Sequence, residues 1–115
     1  MENRLEKLYD LKELQTISAG DNVFFKQMIS LFVSQNEAAL LEIRQHADKR
    51  DFDMIKAVLH KMKPAIMVMG VSSATDIITQ IEHSETASME KPEFSILLLK
   101  LGKILQDVNG QLRLI

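Results

Sequence analysis

Cysteine and tryptophan are both missing from this chain of 115 residues. The first absence excludes a disulfide framework, thiolate zinc sites, iron–sulfur ligation and a cysteine nucleophile together. The second, with an aromatic share of 5%, argues against a stacking platform for single-stranded nucleic acid. Proline occurs twice and glycine four times, so turns are few and long helices are permitted. Neither sign of charge is in excess: 14 Lys and Arg face 16 Asp and Glu, a formal charge of −2. No basic footprint for duplex DNA or an anionic membrane follows from that balance, and no nucleic-acid or membrane partner is expected. The strongest apolar run, residues 65–71, is far too short to span a bilayer. The charged start, Met1-Glu2-Asn3-Arg4, lacks the apolar core of a signal peptide, so a cytoplasmic location is expected.

What is there is written almost wholly in the helical period. Hydrophobic residues make up 46% and charged residues 26%, the balance of one globular domain with a single core. Asp10 is placed to cap a short first helix, with Glu13 completing a capping box and Leu11, Leu14 and Ile17 on its apolar side. Asp21 caps a second helix from residue 22 to about residue 47, apolar over a wide arc. Asp51 caps a third, from residue 52 to about residue 69, which Gly70 stops. Ser72 or Ser73 starts a fourth, with Ala74, Ile77, Ile78 and Ile81 inward and a polar tail through Thr86, Ala87 and Ser88. Pro92 opens a fifth at a first-turn position, carrying Phe94, Leu97, Leu98, Leu101, Leu105, Val108 and Leu112. No stretch alternates convincingly with period two. The expected fold is all-α: one domain over residues 1–115, an antiparallel four-helix bundle with the short first helix covering one end.

One residue breaks the pattern usefully. Ile55, Leu59, Met62, Ile66 and Met69 form a single stripe on the third helix. At about 100° per residue, His60 falls about 140° from the centre of that stripe and points outward. Lys56, Lys63 and Met67 share its sector, with Asp53 and Pro64 a little further round. A neutral imidazole is nucleophilic near pH 7, and nearby ammonium groups disfavour its protonation while attracting a phosphoryl group. A stiff helix fixes the ring, and exposure admits a partner. There is no glycine-rich nucleotide loop and no acidic cluster suited to magnesium. The chain is therefore expected to have no kinase activity and no cofactor of its own.

The run Leu59-His60-Lys61-Met62-Lys63-Pro64, followed by Met69-Gly70, resembles the histidine-containing phosphotransfer (HPt) domain of multistep two-component relays, which typically shows A-H-x-L-K-G and a later glycine. Gly20-Asp21-Asn22-Val23-Phe24 is similar to that family's opening of the second helix. Asp10-Leu11-x-x-Leu14 is similar to its covering helix, and Ile81-Glu82 to its Leu-Glu in the fourth. The likeness runs in order through nearly the whole chain. It implies that His60 carries the phosphoryl group through Nε2, that Lys63 neutralises the phosphoryl oxygens, and that Lys61 gives weaker electrostatic help. It also implies a receiver domain of a response regulator as partner, bringing its own magnesium, with a hybrid sensor kinase upstream. The chain would act as a monomer. Lys56, Pro64 and Met67 on the third helix, with Phe24 and Leu31 on the second, are the expected docking residues.

Two departures qualify the resemblance. Leu59 replaces the commoner alanine, which its core position explains. Pro64 replaces a glycine and removes the N–H that would bond the carbonyl of His60, so a local kink is expected. Either the ring is a tolerated variant offering an apolar contact, or it alters partner choice or weakens transfer. A different class of function stays open beside the carrier: a helical adaptor that binds a receiver or kinase without accepting phosphate. His46 and His83 lack ligand spacing, and no metal site is expected. The seven Met residues read mostly as core filler; Glu82 could pair with Lys63 across the helices, but reads more readily as a solvated side chain.

Overall fold

Each stretch of helical period becomes an α-helix in the computed structural model, which describes residues 6–85 and 90–115. Among the described residues the helices are α1 (Lys12–Ser18), α2 (Asn22–Asp48), α3 (Phe52–Val68), α4 (Ser72–Glu82) and α5 (Pro92–Leu112), with no strand. The protein is all-α. The polar tail expected at Thr86 to Ser88 lies outside the described residues.

Local chemistry sets most of the boundaries. Asp21 caps α2 by accepting from the N–H of Phe24 at 3.0 Å, and Asp51 caps α3 by accepting from that of Met54 at 3.3 Å. Pro92 occupies the first turn of α5, where its missing N–H goes unnoticed. The start of α1 differs from expectation. Leu11, not Asp10, takes the cap position, and the Asp10 carboxylate accepts from Lys12 N–H at 3.0 Å. No capping box closes, because the N–H of Asp10 donates to the carbonyl of Met69 at 3.1 Å. Tertiary pairing has taken the group that Glu13 was expected to bond.

That same contact explains Gly70. Its φ is +67°, and a Cβ there would lie 2.3 Å from the carbonyl oxygen of Asp10. Only glycine combines the left-handed turn with so close an approach. The α3–α4 corner and the segment leading into α1 are thereby pressed together.

Packing closes a ring of neighbours: α2 on α3, α3 on α4, α4 on α5 and α5 back on α2, with α1 against α2. Ile55, Leu59 and Ile66 of α3, Ile78 and Ile81 of α4, and Leu105 and Val108 of α5 lose all contact with solvent. Each such side chain contributes about 1.5–3 kcal/mol by burial. Ile17, expected inward, is instead 52% exposed, since seven residues of α1 cannot cover α2 with every apolar group. Three polar residues are buried unannounced: Ser18 of α1, whose hydroxyl donates to the Leu14 carbonyl at 2.8 Å, and two asparagines. Asn36 of α2 and Asn109 of α5 are buried and hydrogen-bonded to one another at 3.2 Å, so neither amide is left without a partner. Among the described residues no helix is long and apolar enough to cross a membrane.

Candidate functional site

Leu59 is wholly buried while the side chain of His60, the next residue, is 82% exposed. The step of about 100° between neighbours thus uses the core to aim the imidazole outward. α3 runs unbroken through Pro64, so the ring stands on a continuous helix.

One nitrogen of the imidazole is tied back to the fold. Its Nδ1 lies 3.0 Å from Oε2 of Glu82 at the end of α4. The other oxygen of the same carboxylate, Oε1, accepts from Lys63 Nζ at 2.8 Å. One carboxylate therefore joins histidine and lysine across the α3–α4 contact. Bonds from Lys63 first and His60 second hold the Glu82 carboxyl below the usual carboxylate range, against an opposing effect of burial. Ionised, Glu82 can only accept. The neutral ring consequently carries its proton on Nδ1 and its lone pair on Nε2. Lys56 adds a third tie, donating to the carbonyl of Ser84 at 2.6 Å.

At this site Glu82 departs from the preferred expectation and takes the alternative one, the pair with Lys63; its bond to His60 was not foreseen. Glu82 was expected in solvent, and only a fifth of its side chain is exposed. The stripe Ile77, Ile78 and Ile81 put it at the edge of the buried face, but whether that edge meets α3 or water depends on how the helices cross.

The lysines divide by role. Lys63 is engaged with Glu82 of α4, and Lys56 with the Ser84 carbonyl just beyond that helix. Lys61 is exposed and lines an open groove of about 460 Å³ between α2 and α3, with Phe32, Gln35, Ala39, Met54 and Ala57 among its walls. Pro64 and Met67 are exposed on the His60 face as expected. Phe24 is half-buried and Leu31 is exposed, but neither lines the groove. Leu31 stands seven residues before Ala38, a groove residue, on the same side of α2.

The other histidines stay apart from this site. His46 Nε2 lies 3.5 Å from Glu42 within α2, and His83 is exposed at the end of α4. Among the described residues no group of three His, Asp or Glu is placed to hold a metal ion. No protein-family model, no curated protein and no solved structure matches the chain. What the site offers is a nucleophilic nitrogen open to solvent, an ionised carboxylate behind the ring, and cations on both flanks.

Proposed function

We propose that the protein is a phosphorelay carrier of the HPt kind, with α2 to α5 forming an antiparallel four-helix bundle, α1 covering one end, and His60 as phosphoacceptor. The observation that carries this reading is the bond between His60 Nδ1 and Glu82, which leaves Nε2 outward on a ring that is 82% exposed. In the proposed step the Nε2 lone pair attacks the phosphorus of an aspartyl phosphate on a receiver domain. The N–P bond forms, the O–P bond breaks, and the aspartate leaves as a carboxylate with its electron pair. The ring, still protonated on Nδ1, becomes a phosphoimidazolium, and the Glu82 carboxylate balances its charge. The reverse sequence delivers the group to a second receiver.

Lys63 reaches the phosphoryl oxygens only by sharing or leaving Glu82, whereas Lys61 makes no such bond among the described residues. Magnesium belongs to the receiver, and nucleotide chemistry to a sensor kinase upstream. The carrier acts as a cytoplasmic monomer, and its partners cover the face holding His60, Lys56, Pro64 and Met67, extending towards Phe24 and Leu31.

Incubation with a phosphorylated receiver domain is expected to label the wild-type chain with acid-labile, base-stable phosphate and to leave His60→Gln unlabelled. Equal labelling of both would remove His60 from the chemistry. Tight binding by both, with label on neither, would instead make the chain an adaptor.

A further inference from the structure

A helical carbonyl normally receives the N–H of the residue four positions on, and for His60 that residue is Pro64, which has none. A proline at this position also crowds the carbonyl four residues before it. The result is a backbone acceptor without its helical donor, belonging to the residue read as phosphoacceptor, whose side chain is 82% exposed. The flanking ammonium groups are occupied elsewhere, Lys56 on the Ser84 carbonyl and Lys63 on Glu82. In the free protein, water can satisfy such a group. Once a partner covers the face, water is expelled and the carbonyl needs a donor from that partner.

We infer that Pro64 is a specificity-determining residue: it turns the His60 carbonyl into an acceptor that a docking receiver must fill with its own N–H or O–H. A receiver bringing a donor to this point gains a charge-independent hydrogen bond beside the reacting atoms. One presenting a carbonyl or carboxylate there is rejected, because two acceptors are left facing each other out of water. The inference rests on the carrier reading, since it needs a receiver seated over His60. It adds a rule for which receiver is accepted, a rule that the ring of His60 alone cannot supply.

The test compares wild type with Pro64→Ala and Pro64→Gly, both of which restore the N–H to the His60 carbonyl. Alanine keeps a side chain and favours the helix, so folding is secure. Purified receiver domains from the source organism, each phosphorylated with acetyl phosphate, serve as donors, and initial labelling rates give a preference profile. Both variants are expected to lower the ratio of the best to the next-best receiver by about tenfold, the size of one lost hydrogen bond at a desolvated acceptor. An unchanged profile in Pro64→Ala overturns the inference, as does a change in Pro64→Gly alone, which would assign the effect to side-chain bulk. If no receiver labels even the wild type, the carrier reading itself fails and takes this inference with it. Labelling with an unaltered profile sinks only the inference.

Discussion

Glu82 does at least two things at once, and the two are separable. Its carboxylate fixes the proton of His60 on Nδ1, and it ties α3 to α4 through Lys63. Glu82→Gln keeps the size of the side chain but removes the charge that, in the proposed step, would balance a phosphoimidazolium. Initial phosphotransfer rates are expected to fall about tenfold, in line with one charge-assisted hydrogen bond, while His60 remains the labelled residue. The tie also has a predictable pH dependence. A carboxyl held below its ordinary value in the folded state contributes stability that is present above the unfolded pKa, about 4.3. That contribution is lost as pH falls through the lower folded value. The difference in Tm between wild type and Glu82→Gln is therefore expected to be constant at neutral pH and to shrink only below about pH 4. Pro64 carries a second prediction at this scale. An exposed proline inside a helix costs up to about 3 kcal/mol relative to alanine. Pro64→Ala should accordingly raise Tm, measured by circular dichroism, whatever it does to partner choice.

At the scale of helices, the α3–α4 corner is where one residue controls most geometry. Gly70→Ala would drive a Cβ into the carbonyl of Asp10 and force an alanine to a φ of +67°. A loss of about 2 kcal/mol or more is expected from strain and clash together, seen as a lower urea midpoint. Hydrogen exchange at the Asp10 N–H, now bonded to Met69, should accelerate with it. The periodicity of the chain makes the helices legible because each stripe buries one face, and Leu59 and His60 show why: adjacent residues point in opposite sectors. Capping aspartates at 21 and 51 are legible for the same local reason, since an N-cap needs only its own helix. Asp10, Ile17 and Glu82 are not. Their surroundings come from other elements, namely Met69 for the first, α2 against which α1 packs for the second, and α3 for the third. The outward histidine could thus be read from the sequence, and Glu82 could be offered as a partner of Lys63, but its bond to the imidazole could not be read.

Across the whole molecule, the buried Asn36–Asn109 pair links α2 to α5 on the far side of the ring of helices from the α3–α4 tie. Replacing Asn36 alone with leucine strands the Asn109 amide and should cost about 1–3 kcal/mol. Changing both to leucine should recover much of that loss, which a double-mutant cycle of urea midpoints would show. The scarcity of reactive groups takes on a meaning at this scale. A protein without cysteine or a nucleotide loop can still move a phosphoryl group if a rigid support holds one histidine and partners bring the rest. That claim is tested most directly by following labelled phosphate from one receiver domain, through this chain, to a second receiver. The account predicts that the label passes through wild type, appears transiently on His60, and stops at the first receiver when His60→Gln is used. Passage through His60→Gln at the wild-type rate would contradict it.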